Sequence, residues 1–184
     1  MDGIDLMVDE HMYIKRMLEV IRKACVGILN GNDINYDDFE QMIDFVRSYA
    51  DKHHHGKEEK ILFNRMVDEI GGAAEKLVKF GMLVEHDLGR LHMKELEESL
   101  LRVKGGDIDS RVDVIANAVS YTHLLYRHID KEDNVAYPFA RRSLSDETIK
   151  NINLDCDKFE DKMREEGIQV KYINLLESLE GKYK

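Results

Sequence analysis

The sequence predicts an all-α fold, an up-down-up-down four-helix bundle with an additional C-terminal helical segment. Apolar residues recur at intervals of three and four over long stretches, which is typical of helices that bury one face. The chain of 184 residues contains a single proline, Pro138, and short turns rich in Gly and Asn separate the periodic stretches. Long helices joined by short turns fold back on one another, so we expect an antiparallel bundle.

Turn residues bound the first three helices. Helix one is predicted over 4–29, before a run of Asn, Gly and Asp residues. A cap at Asn35 begins helix two, which continues to the glycine pair at 71–72. Helix three then runs to the glycine pair at 105–106.

The remaining helices complete the bundle and extend beyond it. Ser110 is a plausible cap for helix four, and Pro138 predicts a break or kink there. Ser145 begins a fifth helix, and a shorter helical piece follows Gly167. We therefore expect a single domain over 1–184, with the core bundle at about 4–142 and the C-terminal helices at about 145–180.

Composition and charge exclude several classes of protein. The 27 Lys and Arg residues and 37 Asp and Glu residues give a formal net charge of −10, and without a basic tract nucleic-acid binding is not expected. No run approaches the ~20 apolar residues of a membrane-spanning helix, so no membrane association is expected either. No secretory signal is visible, which predicts a cytoplasmic protein. The two cysteines, Cys25 and Cys156, are predicted to be free thiols.

A ten-residue motif occurs twice. The segments 54–63 and 128–137 share a His, a Lys three residues later, a Glu four residues later, another acid at the next position and an aromatic residue at the end. This repetition indicates that one unit is used twice, with an approximate twofold relation between the halves of the bundle.

The repeated motif predicts inward-facing metal ligands. Residues four apart lie on one face of a helix, so His54 with Glu58 and His128 with Glu132 can each direct a nitrogen and a carboxylate to one point. Both pairs lie on the apolar stripe of their helices. His11 on helix one and His86 on helix three lie on apolar stripes as well. Burial of four imidazoles and two carboxylates without partners is strongly unfavourable, which favours a metal site.

The number of ligands favours two metal ions. Four His and two Glu divide into two His per metal with both carboxylates bridging, which leaves positions for a solvent-derived bridge and an external ligand. Iron suits this donor set, and manganese is less favoured. Zinc is also less favoured, because it ordinarily closes a tetrahedral site, often with thiolate.

The other candidate side chains have weaker support. Solvent exposure or an indirect role is favoured over ligation for His53 and His55, because each lies about 100° around the helix from His54. His92 and His123 do not share the ligand faces. Tyr121 is expected in the core, with a hydrogen bond to a bound ligand as the alternative.

These motifs resemble the hemerythrin-like family of cation-binding bundles. The matching residues are Glu10-His11, the segment 54–63, Glu85-His86 with Gly89-Arg90, and the segment 128–138. The resemblance covers about 4–142 and implies iron ligation by His11, His54, Glu58, His86, His128 and Glu132. It further implies that Glu58 and Glu132 bridge, that His11 and His54 serve one iron, and that His86 and His128 serve the other.

The resemblance implies a cytoplasmic non-haem diiron protein that binds a small diatomic or peroxo ligand, such as O2, NO or peroxide, in sensing, stress response or iron handling. The oxygen carriers of the family have two His four apart on helix three, whereas the positions four before and four after His86 are Met82 and Arg90. Reversible oxygen carriage is therefore disfavoured. The alternatives are a diiron enzyme that reduces peroxide or nitric oxide, and a metal-stabilised helical adaptor.

Overall fold

The computed structural model describes residues 2–184, and within that range it contains helices and no strand. The predicted all-α class is confirmed. Three of the six helices are continuous runs of several segments. In order they are α1, Gly3–Leu29; α2, from Tyr36–Phe45 through Val46–His55 and Glu58–Phe63 to Asn64–Ile70; α3, from Gly72–Leu77 through Val78–Met82 to Leu83–Lys104; α4, from Arg111–Lys131 through Glu132–Ala136 to Tyr137–Ser143; α5, Asp146–Glu165; and α6, Ile168–Lys182.

Side-chain caps and one glycine fix where the helices begin and end. The carboxylate of Asp2 accepts hydrogen bonds from two backbone N–H groups at the start of α1, and the Asn35 side chain caps α2 in the same way. The connection between α2 and α3 is Gly71 alone, whose φ of 76° is accessible to glycine at little cost. Such a short connection forces the two helices to run antiparallel.

Two apolar clusters lie at opposite ends of the bundle. One is built around Met17, Phe45, Leu96 and Leu125, and the other around Met7, Leu62, Met82 and Tyr137. Each inward-facing histidine predicted from the sequence lies between these clusters along its helix, as His11 does between Met7 and Ile14. The polar residues of the centre are therefore enclosed by apolar packing above and below.

Segments of π-helix interrupt the three composite helices close to this polar layer. They are Val46–His55 and Glu58–Phe63 in α2, Val78–Met82 in α3 and Glu132–Ala136 in α4. A π-turn holds an extra residue, so side chains beyond it face directions that an ideal α-helix would not give them. Phe80 and Val135, which α-helical spacing places on the apolar stripes, are consequently exposed.

Helix α4 does not end at Pro138. It continues through Pro138 to Ser143, so of the two predicted alternatives, a break or a kink, the break is wrong. The π-turn Glu132–Ala136 directly precedes Pro138, which then lies in the first turn of the next α-helical segment. Because the helix is continuous there, Pro138 removes one backbone hydrogen bond from it, and the neighbouring π-turn is where the helix accommodates that loss.

Helices α5 and α6 form a C-terminal hairpin that packs on α1 and α2. Their buried residues include Ile152, Cys156, Leu176 and Leu179, and both cysteines of the chain are buried free thiols, as predicted. The contact with α1 is close enough that a Cβ on Gly3 would lie 2.7 Å from the Cys156 Sγ. No helix in the described part of the chain is both long and apolar enough to cross a membrane.

We predict that the C-terminal hairpin unfolds together with the bundle. Leu176→Ala, at a fully buried position, should lower the free energy of unfolding by about 2–5 kcal/mol, because it leaves a cavity between α6 and the bundle. Urea titration followed by circular dichroism should show one transition shifted to lower denaturant. The matched change Val170→Ala, on an exposed position of the same helix, should alter stability by less than about 0.5 kcal/mol. A separate early transition in Leu176→Ala would show that the hairpin is an independent unit.

Candidate metal centre

The four predicted histidines meet in two pairs. One residue comes from each helix of the bundle, and all four side chains are buried. The Nε2 atoms of His11 and His54 lie 3.0 Å apart, and those of His86 and His128 are also 3.0 Å apart. The structure thus brings together the two pairs that the sequence predicted.

A carboxylate holds the other ring nitrogen, Nδ1, of each of these histidines. The bonds join His54 to Glu10 at 2.8 Å, His86 to Glu59 at 2.7 Å, His128 to Glu85 at 2.9 Å, and His11 to Asp133 at 2.7 Å. Each carboxylate accepts a hydrogen bond from the Nδ1–H, so the Nε2 atom of a neutral ring directs its lone pair to the facing imidazole. In helix order the bonds connect α1 to α2, α2 to α3, α3 to α4 and α4 to α1. We call this closed set the carboxylate ring.

Each acid of the carboxylate ring also contacts a basic side chain outside it. Lys57 donates to Glu10, Arg90 donates to Glu59 at 2.7 Å, Lys131 donates to Glu85, and Lys15 donates to Asp133 at 3.2 Å. Charges therefore alternate outward from the imidazoles, with carboxylates next and cations beyond them. This arrangement fixes the orientation of the acids. A hydrogen bond from the His86 ring lowers the pKa of Glu59 to about 2, whereas burial raises the pKa of Glu10 despite the charge of Lys57.

Glu58 and Glu132 lie between the two histidine pairs. Oε2 of Glu58 is 3.7 Å from the Nε2 of His54 and 3.6 Å from that of His86. Glu132 reaches the Nε2 of His11 at 3.3 Å with one oxygen and that of His128 at 3.0 Å with the other. Oε2 of Glu58 and both carboxylate oxygens of Glu132 are buried without a hydrogen-bond partner of acceptable geometry. Both carboxylates are thus placed to touch both halves of the centre.

The last residue of the repeated motif differs between the two copies by one hydroxyl group: it is Phe63 in the first copy and Tyr137 in the second. The Tyr137 ring stacks on His11 with centroids 5.7 Å apart, and its hydroxyl donates to Glu58 Oε1 at 2.5 Å. The equivalent Phe63 stacks near His86 but has no hydroxyl. Burial and the Glu58 charge hold the pKa of Tyr137 well above its ordinary value, so it remains a hydrogen-bond donor. The sequence motif showed an aromatic residue here but not this contact.

Tyr121 lies in the core, as expected. It lines a surface cavity of about 280 Å³ together with Gly89, Met93 and the histidines His55 and His86.

His53 and His55, which sequence periodicity did not favour as ligands, are both buried. Solvent exposure, one alternative for His53 and His55, is wrong for both. His55 stacks on His86 with ring centroids 3.8 Å apart, and its Nδ1 contacts Asp51 at 3.3 Å. Ligand atoms of His55, Glu58, His86 and His128 all lie within 4.8 Å of one another. The π-turn Val46–His55 is the physical reason, because it rotates successive residues differently from an α-helix.

A third cluster of possible ligands already contains a cation. Glu10, His53 and Glu160 place ligand atoms within 4.8 Å of one another. The Lys57 Nζ donates to both carboxylates and lies 3.1 Å from the His53 Nε2. Its ammonium group supplies the positive charge that a metal would bring, so this cluster is an ion-pair network. His92 and His123 lie outside all three clusters, as expected.

Protons stabilise the histidine pairs when no metal is bound. Burial alone would lower the pKa of His128, but Glu132 and Glu85 outweigh it and raise that pKa to about 9. The pKa of His11 is also raised, because Asp133 and Glu132 outweigh burial. Burial and the neighbouring His11 charge hold the pKa of His54 well below its ordinary value. Within the first pair, His11 is therefore the stronger base.

The two carboxylates between the histidine pairs, Glu58 and Glu132, have opposite preferences for a proton. Burial and the charge of Glu132 raise the pKa of Glu58 well above its ordinary value. Burial would raise the pKa of Glu132 too, but the positive charge of His128 lowers it well below the ordinary value.

The donor set fits two divalent cations. Each pair of facing Nε2 atoms needs a positive charge between them, and the three carboxylate oxygens without partners need cationic neighbours. Metal cations held by the imidazoles and by Glu58 and Glu132 would satisfy both needs, and the carboxylate ring holds the imidazole tautomers that ligation requires. In the described residues neither cysteine belongs to a cluster of possible ligands.

Comparison with known proteins assigns the family. No curated protein matches the chain. The family description "Hemerythrin HHE cation binding domain" matches residues 2–140, which includes all four helices that carry the paired histidines and excludes the C-terminal hairpin. With three quarters of its residues inside that match, the chain belongs to the hemerythrin HHE cation-binding domain family.

Proposed function

We propose that this protein is a non-haem diiron protein that binds a small ligand, O2, NO or peroxide, at an open iron position. One observation carries the proposal: two pairs of imidazole nitrogens face each other at 3.0 Å, and the carboxylates between them have oxygens without partners. The family match supports a cation at this position. Iron at such a site supplies reversible redox chemistry and coordination of small ligands.

The proposed ligand sets divide the site into two unequal halves. His11 and His54 hold one iron, His86 and His128 hold the other, and Glu58 and Glu132 bridge. The position of His55 beside Glu58, His86 and His128 adds it to the second iron, so that three histidines serve that metal. His55 thus supplies the imidazole that Met82 and Arg90, the residues four before and four after His86, do not provide.

The donor chemistry favours iron over zinc. All candidate ligands are imidazoles and carboxylates, and both carboxylates are shared between the two halves of the site. Six-coordinate mixed N and O ligation with shared carboxylates suits iron or manganese, whereas structural zinc sites are tetrahedral and closed. A solvent-derived bridge between the irons completes the proposed centre.

The open position belongs to the iron with two histidines. With a solvent bridge, the His55 side has six donors and the His11 side has five. A small external ligand is therefore expected on the His11 and His54 iron. The Tyr137 ring stacks on His11 of that site and belongs to a buried apolar cluster with Met7 and Leu62, and such surroundings suit an uncharged diatomic molecule.

We predict two irons per chain and dependence on His55. Protein reconstituted without oxygen should hold two irons, and Glu58→Ala or Glu132→Ala should lower the occupancy of both, because each carboxylate contacts both halves. His55→Ala should weaken binding of one iron by at least about tenfold, measured by competition with a chelator. The exposed His123→Ala should retain both irons. If His55→Ala does not change the iron affinity, His55 is not a ligand, and only the four histidines predicted from the sequence bind iron.

We predict that azide binds the oxidised centre at one site. Because a single coordination position is open, azide titration should change the charge-transfer absorption and saturate at one equivalent per iron pair. Nitric oxide should compete for the same position in the reduced protein. A spectrum that excess azide and nitric oxide leave unchanged would show that both irons are closed. Sustained consumption of peroxide or nitric oxide in the presence of an electron donor would identify an enzyme.

We predict that metal binding releases protons, in a number that falls with pH. His128 has a raised pKa of about 9 in the metal-free protein, so its proton must leave when metal binds at pH 7.5. Its protonation stabilises the metal-free protein fully below the unfolded pKa of about 6.5, and this contribution is lost as pH rises through 9. Calorimetry in two buffers should show at least about one proton fewer released at pH 10 than at pH 7.5. Release of the same number of protons at pH 7.5 and at pH 10 would show that the pKa of His128 does not lie between these two pH values.

A further inference from the structure

One basic residue outside the carboxylate ring differs from the other three. The side chains of Lys15, Arg90 and Lys131 are 40–41% exposed, whereas that of Lys57 is 0% exposed. Lys57 and Lys131 occupy equivalent positions in the repeated motif, so the sequence repeat does not account for the difference. A part of the chain outside the repeated motif therefore buries Lys57.

The C-terminal hairpin provides the cover. The Glu160 carboxylate of α5 accepts a hydrogen bond from Lys57 and another from the His53 Nε2 at 2.8 Å. Gln169 of α6 donates to the second Glu160 oxygen at 2.7 Å, and the Phe159 ring lies 5.5 Å from the Lys57 Nζ. Glu160 is buried, and burial alone would raise its pKa, but His53 and Lys57 lower that pKa to about 2. It therefore stays ionised.

A continuous chain of charged contacts links this cover to a proposed metal ligand. Glu160 contacts Lys57, Lys57 contacts Oε1 of Glu10, and Oε2 of Glu10 accepts from the His54 Nδ1 at 2.8 Å. Each group in the chain is buried. A buried ammonium held between two carboxylates has little freedom to move, so it fixes Glu10, and Glu10 fixes the His54 ring.

The equivalent chain in the other half ends in solvent. Lys131 contacts Glu85, and Glu85 contacts the His128 Nδ1, but no second carboxylate is recorded on Lys131 in the described residues. Water there screens the charge of Lys131 and competes for its hydrogen bonds. The lysine of the repeated motif is therefore buried on the His54 side and exposed to solvent on the His128 side, although both histidines are buried.

We propose that Glu160 is a positioning residue for the metal centre: acting through Lys57 and Glu10, it sets the orientation and basicity of His54 and makes the two metal sites inequivalent. This inference rests on the proposed metal centre. It gives the C-terminal hairpin, which lies outside the family match at 2–140, a role at the His11 and His54 site.

Charge balance gives the direction of the effect. Lys57 is shared by Glu10 and Glu160, so Glu10 keeps part of its negative charge for the His54 Nδ1–H. In Glu160→Gln the ammonium is left with Glu10 as its only carboxylate partner, which weakens the bond from His54 and lowers the basicity of its Nε2. Metal affinity at one site should therefore fall, while the site served by His86 and His128 keeps its ring contacts.

The test compares two substitutions in the same hairpin. Glu160→Gln removes the proposed link, and Glu180→Gln breaks another hairpin ion pair, with Arg16 at 2.7 Å, that contacts no histidine. Zinc is the probe, because zinc-loaded protein is diamagnetic and its hydrogen-bonded imidazole Nδ1–H protons can be observed by NMR at pH 7.5. Zinc affinities come from competition with a chelator.

In Glu160→Gln the Nδ1–H resonance of His54 should move more than those of His11, His86 and His128, and one zinc affinity should fall about tenfold. Glu180→Gln should change neither quantity. A folded Glu160→Gln protein with an unmoved His54 resonance and two unchanged affinities would overturn the proposal, and equal movement of all four resonances would do the same.

A second variant keeps the proposal testable if Glu160→Gln does not fold, because that substitution leaves the buried Lys57 with one carboxylate partner fewer. The pair Lys57→Met and Glu160→Met removes both charges together, which buried sites tolerate better than removal of one. It should move the His54 resonance more than the other three, because Glu10 then loses its ammonium partner and binds the His54 Nδ1–H more strongly, and a folded double variant with all four resonances unmoved contradicts the proposal. If the unmodified protein takes up neither zinc nor iron, the metal centre is wrong, and the same His54 comparison in metal-free protein then decides the positioning role by itself.

Discussion

The bond between an imidazole Nδ1 and a carboxylate from the neighbouring helix is the interaction on which the rest of this structure depends. Used four times, it converts four side chains that are costly to bury into a set of aligned lone pairs. It also ties each helix of the bundle to the next. The apolar clusters at the two ends supply the packing energy, while the ring determines which residues face each other at the centre.

The helical geometry is adapted to this polar layer. π-Turns are uncommon, yet segments of π-helix adjoin or include the proposed ligands on three helices. Their wider turns let α2 present three consecutive histidines to buried surroundings, with His53 toward the C-terminal hairpin and His55 toward His86. A regular α-helix would direct one of these rings to solvent. Local irregularity therefore increases the number of nitrogen donors that one helix can bury.

Much of this arrangement follows from spacing alone. The i to i+4 pairs on apolar stripes predicted that His54, Glu58, His128 and Glu132 face the centre of the bundle, whereas the pairing of His11 with His54 and of His86 with His128 came from the family resemblance. Spacing could not predict the burial of His55, because π-turns change the register that such counting assumes. It could not reveal Glu160 either, since its partner Lys57 lies 103 positions earlier and nothing in either local sequence indicates the contact.

The carboxylate ring closes through the contact of α4 with α1, and α5 covers Lys57. The order in which these helices are synthesised therefore matters for the centre. During vectorial translation the early helices emerge with their histidines already present, but Asp133 and Glu160 emerge much later. Until then His11 lacks the acid that fixes its tautomer, and the ammonium beside Glu10 is hydrated. The proposed metal site is therefore complete only once α4 and α5 have packed against α1 and α2.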